Sequence, residues 1–200
     1  MSLIRQLKLN TENMARLKGN AIAEGLSGSI GQMFTFRQIG GKTFVSKYQR
    51  ATGVPATQKM TAARTRFGEA TEYAKRVIRD PSLKALYQAA ATGGQRAFNV
   101  AIMDALNPPR VESIRAEIYT GRPGDQILIK ATDDFKVAEV RVSVHTQSGE
   151  LVEEGNAVMN ENKLDWHYTA TRKIPELSGS KITAVAFDLA GNRDSMTVNI

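Results

Sequence analysis

Beyond residue 110, apolar and polar residues alternate in short runs. Ile114, Ala116 and Ile118 form the first, and Ile127, Ile129 and Ala131 the second. Val140, Val142 and Val144 follow, then Leu164, Trp166, Tyr168 and Ala170, then Ile182, Ala184 and Ala186, then Met196, Val198 and Ile200. A period of two places the apolar members of each run on one face of a strand. Turn-forming residues separate the runs: residues 121–125, Asp133-Asp134, Gln147-Ser148-Gly149, Gly179-Ser180 and Ala190-Gly191-Asn192. With a further run over residues 151–159, this spacing predicts an all-β sandwich over residues 111–200.

The period changes upstream. Met60, Ala63, Phe67, Ala70, Ala74 and Val77 recur at steps of three and four, which predicts an amphipathic helix from about residue 57. Asp80-Pro81 has the chemistry of a cap followed by a first helical turn, so a second helix starts there, with Leu83, Leu86, Tyr87 and Ala90 inward. Gly93-Gly94 ends it. A third helix over residues 95–106 presents Phe98, Ala101, Ile102 and Leu106. Further upstream, two β-prone runs, Met33 to Arg37 and Lys42 to Lys47, flank Gly40-Gly41 and predict a hairpin over residues 32–48. Residues 11–18 have the makings of a short helix, on a thin apolar pattern.

Asn107-Pro108-Pro109 divides the two patterns, because consecutive prolines cannot continue a helix. The expected fold class is therefore α+β with two domains. Residues 1–107 hold the hairpin and a small helical unit, and residues 111–200 the all-β sandwich.

Charge follows the same division. Of the net +7, residues 1–109 carry +10 and residues 110–200 carry −3. Such asymmetry suits a polyanion partner or the association of unlike halves of neighbouring subunits. Lys59, Arg64, Arg66, Lys75, Arg76 and Arg79 concentrate on the first predicted helix and are the candidates for phosphate contact. No recognition-helix, zinc or aromatic–basic pattern accompanies them. The chain has no cysteine, which removes disulfides, thiolate metal sites and thiol nucleophiles. No secretory signal or membrane span is visible, so the expected location is cytoplasmic or inside an assembled particle, with no membrane partner.

Phe187-Asp188-Leu189-Ala190-Gly191-Asn192, after Ala184-Val185-Ala186, resembles the last hairpin of bacterial immunoglobulin-like domains. The segment from Asp133 to Val140 resembles their early strand-turn-strand. The resemblance implies an immunoglobulin-like sandwich and no particular ligand. Gly28-Ser29-Ile30-Gly31, Gly41-Lys42, Thr57-Gln58 and Arg64-Thr65-Arg66-Phe67 are similar to a bacterial family to which no activity is attached, and weakly to small phage and particle structural proteins.

No catalytic constellation emerges. Gly25, Gly28 and Gly31 precede a strand rather than a helix, so they do not form a phosphate cradle. His145 and His167 lie out of phase with inward residues and have no nucleophile nearby in sequence. Asp133, Asp134, Asp188, Asn192 and Asp194 fall in loops expected at one end of the sandwich. Oxygen ligands converging there would suit Ca²⁺, although Asx turns account for the same residues and are the favoured reading. The expectation is a non-enzymatic structural or assembly protein without a cofactor. Phe34, Phe36 and Phe44 would supply an oligomer interface, and nucleic-acid binding by the basic helix is the alternative.

Overall fold

The computed structural model describes residues 14–19, 21–49, 55–162 and 164–200. Among them the chain forms a mixed α+β structure of three helices and three antiparallel sheets. It divides into two compact units, residues 1–57 and 58–200. The helices thus fall in the same unit as the later strands, whereas the sequence reading grouped them with the hairpin and set its break at Asn107-Pro109.

The first unit holds β1 (Met14–Arg16), β2 (Gly28–Ile30), β3 (Phe34–Ile39) and β4 (Lys42–Lys47), in the order β1-β4-β3-β2. Gly40 and Gly41 have φ of 56° and 71° and join β3 to β4. Positive φ at both central residues makes the tight turn whose twist matches paired strands, and glycine adopts it without steric cost. The predicted hairpin is present within a larger sheet. The short helix expected over residues 11–18 is corrected in part: residues 14–16 are a strand paired with Phe44, Val45 and Ser46, and residues 11–13 lie outside the described residues. A helical turn orders several residues for its first bond, while an open strand edge supplies backbone partners at once.

The second unit opens with α1 (Gln58–Arg79), α2 (Pro81–Ala89) and α3 (Ala97–Leu106). Asp80 caps α2 as its sequence predicts, its Oδ1 accepting from the amides of Ser82 and Leu83 at 2.8 and 3.1 Å. Ala74 and Val77, Tyr87, and Ala97 and Ala101 bring the helices into one core, which Phe135 joins from a strand connection. The apolar stripe of α1 is buried only in its C-terminal half, at Ala70, Ala74 and Val77; Met60 and Phe67 are exposed. Leu86 and Ala90 also differ from expectation and face solvent, because α2 packs through Tyr87 alone among its fully buried residues.

The strands that follow are β5 (Arg110–Arg115), β6 (Gln126–Thr132), β7 (Val137–His145), β8 (Leu151–Asn156), β9 (Val158–Met159), β10 (Asp165–Thr169), β11 (Lys181–Asp188) and β12 (Arg193–Asn199). They make two four-stranded sheets, β5-β6-β10-β9 and β12-β11-β7-β8. Both feed one hydrophobic core. Ile127, Ile129, Trp166 and Tyr168 enter it from the first sheet; Val140, Val142, Val144, Ile182, Ala184 and Ala186 enter from the second. The alternation at residues 114–118 extends less far than read: β5 stops at Arg115, and Ile118 is exposed in the turn that buries Tyr119. Leu164, at the start of another run, is exposed as well.

Candidate functional site

Three carboxylates from distant parts of the chain meet beside the helical core. Asp104 comes from the last turns of α3, Asp133 from the β6–β7 connection and Asp188 from the end of β11. One oxygen from each lies within 4.8 Å of the others. Asp104 is 1 % exposed and Asp188 5 %.

Local structure explains each position. Asp104 continues the buried phase of α3, three residues after Ala101 and seven after Ala97. Asp133 makes an Asx turn, Oδ2 accepting from the amides of Phe135 and Lys136 at 2.9 and 2.7 Å. That turn presents Phe135 to the ring of Tyr87, where the two stack with centroids 4.3 Å apart. Asp188 closes the β11–β12 hairpin. Its Oδ1 accepts from the Asn192 amide and its Oδ2 from Asn192 Nδ2, both at 2.7 Å. Asn192 Nδ2 also donates to the carbonyls of Asp104 and Ala105 at 3.3 and 3.2 Å. It thereby satisfies carbonyls that the end of α3 leaves without helical partners.

A chain of hydroxyls runs to the cluster. Tyr87 Oη donates to Asp104 Oδ2 at 2.5 Å, so Tyr73 Oη, 2.7 Å from Tyr87 Oη, is the donor in the next link. Burial pushes the Asp104 carboxyl up to about 7; the Tyr87 hydroxyl opposes the rise, and neighbouring Asp188 and Asp133 reinforce it. Burial also raises Asp188, against the pull of its bonds from Asn192. Burial and the bond to Asp104 drive the Tyr87 phenol far above its ordinary range.

Of the five residues proposed for the sandwich loops, the structure brings together Asp133, Asp188 and Asn192. Asp134 turns away, its Oδ2 accepting from Asn107 Nδ2 at 2.9 Å. Asp194 Oδ2 accepts from the Val111 amide at 2.9 Å. Sequence reasoning missed Asp104. Its signal was a charged residue three positions after Ala101, passed over because the inward face was read as the apolar residues Phe98, Ala101, Ile102 and Leu106 alone. It also missed Glu153, buried on β8, whose Oε2 accepts from Tyr168 Oη, the amides of Thr171 and Arg172, and Thr171 Oγ1.

Asp133 also borders a groove of about 690 Å³ between α2 and the strands, lined by Leu86, Ala89, Phe135, Met159 and Leu164 among others. The histidines are half-buried rather than exposed, and His167 Nδ1 lies 2.7 Å from Asn160 Oδ1.

The basic residues of α1 do not share one face. Lys59 and Arg66 lie on the side that Ala70 and Val77 continue into the core, and Arg66 Nη2 donates to the Leu106 carbonyl at 3.0 Å. Arg64, Lys75 and Arg79 lie on the far side, where Lys75 pairs with Glu72 at 2.7 Å. The Arg76 guanidinium lies 5.7 Å from the centre of the Tyr73 ring. In the first unit, the register puts Phe34 and Phe36 on one face of the sheet with Ile30 and Val45, and Phe44 on the other with Ile39.

No protein-family model matches the chain, and no curated protein matches it. Among solved structures, an engineered protein from the Northeast Structural Genomics Consortium aligns with 47 % of this chain and 19 % of its own, at 18 % identity and a TM-score of 0.30. This chain thus spans under a fifth of that one, and the likeness carries no argument.

Proposed function

We propose that the protein is a structural or assembly component rather than an enzyme, self-associating through the sheet of its first unit. The observation that carries this reading is the exposed apolar face of that sheet. Ile30 is 52 % and Phe34 48 % exposed, on the same face as half-buried Phe36. Ile30, Phe34, Phe36 and Val45 are neighbours on that face, with Lys47 opposite Phe34 and Gln38 and Thr43 at its other end. Exposed apolar neighbours on a small sheet are a surface for a partner, and a second copy offers the same face to it. Phe44, on the opposite side, contributes to the sheet rather than to that contact.

The strands of the second unit are then an immunoglobulin-like sandwich serving as a rigid interaction module. Two features support this: the sheet orders β5-β6-β10-β9 and β12-β11-β7-β8 match the ABED and GFCC′ arrangement, and both sheets share one core. The buried Trp166 departs from the pattern, lying on β10 rather than on β7, the third strand of the order. A cytoplasmic or particle setting accords with this reading; among the described residues no helix is long and apolar enough to cross a membrane.

Sedimentation velocity on wild type and on the Ile30→Ser/Phe34→Ser double variant tests the proposal. A defined wild-type oligomer that the variant dissolves, with an unchanged circular dichroism spectrum, is the expected result. A wild-type monomer across low and moderate salt overturns it. The second reading, nucleic-acid contact through α1, is favoured by Arg64 and Arg79, which share an exposed face. Salt-dependent binding of duplex or single strands, weakened by Arg64→Ala/Arg79→Ala, would carry it.

A further inference from the structure

The acidic cluster is short of positive charge. Among the described residues, no Lys or Arg ion pair involves Asp104, Asp133 or Asp188. The donors that reach them are neutral: the Tyr87 hydroxyl, the amides of Phe135, Lys136, Gly191 and Asn192, and the Asn192 side chain. Each is spent on an oxygen other than Asp104 Oδ1 and Asp133 Oδ1. Those two atoms are buried and accept no hydrogen bond. Asp104 is itself almost wholly buried, so beside its Oδ1 stands the carboxylate of Asp133 rather than a protein donor, in a place where an ionised group without a cation is costly.

We propose that Asp104, Asp133 and Asp188 bind a hard divalent cation of the Ca²⁺ class. The donor set is oxygen alone, with no imidazole or sulfur, which selects such ions over zinc or copper. Each carboxylate is held by a second set of bonds that leaves it an open lone pair: Tyr87 on Asp104, the Asx turn on Asp133, Asn192 on Asp188. That is the supporting shell a metal site needs to hold its ligands in place. Three carboxylates do not fill the coordination of such an ion, so water or backbone oxygens would complete it; of the three, Asp133 alone borders the groove beside α2. The ion ties α3, the β6–β7 connection and the β11–β12 hairpin at one point, joining helical and strand parts of the second unit. The inference does not rest on the assembly reading, since it concerns a different unit and a different measurement.

The test uses the full chain, stripped with chelator and exchanged into chelator-free buffer. Thermal unfolding and isothermal titration are followed with CaCl₂, MgCl₂ or MnCl₂ up to about 10 mM, roughly tenfold above the dissociation constants of the weakest known Ca²⁺ modules. The expected result is a saturable rise in midpoint with one ion per chain. Asp104→Asn, nearly isosteric, should fold and lose at least tenfold in affinity, while Asp134→Asn, beside the site but bonded to Asn107, keeps the response. If Asp104→Asn does not fold, Asp133→Asn gives the same reading from the rim of the cluster. No saturable response to any of the three ions, with Asp104→Asn more stable than wild type, overturns the proposal and shows that a shared proton neutralises the cluster. An equal response in wild type and both cluster variants overturns it also, as ion binding elsewhere.

Discussion

The sheet of residues 14–47 and the two sheets of residues 110–199 use the same alternating chemistry and end differently. In the second unit, Ile127, Ile129, Val140, Val142, Val144 and Ile182 are sealed from solvent. In the first, Ile30 and Phe34 on one face and Ile39 on the other remain exposed. The residues are no less apolar. What differs is that the later strands form two sheets that supply each other's cover, and a single sheet has no such partner within itself. Alternation specifies which face is apolar; burial needs a second layer.

Deleting side-chain volume from the shared core is the strongest way to sharpen that contrast. Ile182→Ala leaves a cavity between sheets and should cost about 3–5 kcal/mol in urea unfolding. A loss under about 1 kcal/mol would mean that the two sheets do not pack as one core.

Polar burial in the second unit predicts the next effect. Asp104 in the folded chain keeps its proton up to about pH 7, against an ordinary value of 3.8. Between those values the folded state holds more protons than the unfolded one. Stability from this group is therefore greatest at the acidic end and is lost as pH rises through about 7. Asp188, also shifted upward, acts in the same direction. In chelated protein the decline should reach up to about 1.4 kcal/mol per pH unit for one proton, and Asp104→Asn should flatten it. Urea midpoints measured across mildly acidic to neutral pH check both slopes. A wild-type stability that rises steadily over that range would refute the burial assigned to Asp104.

A smaller change probes α1. Gly68 lies inside the helix with nothing within 4 Å of an added methyl group. Gly68→Ala should stabilise by about 0.5–1 kcal/mol through backbone entropy, read from the same unfolding curves. The smallest expected effect closes the comparison. Phe34→Ala in isolated chains should shift stability by no more than about 0.5 kcal/mol, as for an exposed position. A loss as large as that of Ile182→Ala would show that the first sheet is covered after all.

Much of the molecule is legible in its sequence. The Gly40-Gly41 turn, the Asp80-Pro81 helix start and the alternating runs in β6, β7, β10 and β11 are local chemistry, and each is in place. The inward phases of α1 and α2 were only half legible. Met60, Phe67 and Leu86 match the apolar pattern yet stay exposed, because a periodic stripe says where a helix can pack and not how far its neighbour extends. The candidate site shows the same boundary. Asp133, Asp188 and Asn192 were visible as loop acids and amides, since turns favour them for local reasons.

Periods, caps, turns and the lack of thiol chemistry are set by the order of residues alone. Packing of distant segments decided that Asp104 joins Asp133 and Asp188 and that Met60, Phe67 and Leu86 go uncovered. The division of the α1 basic residues follows from the helical period, and the opposite face of Phe44 from the two-residue Gly40-Gly41 turn, so both are local consequences of the elements that form. The acidic cluster and the uncovered stripes depend instead on contacts between segments far apart in the chain, which no local preference encodes.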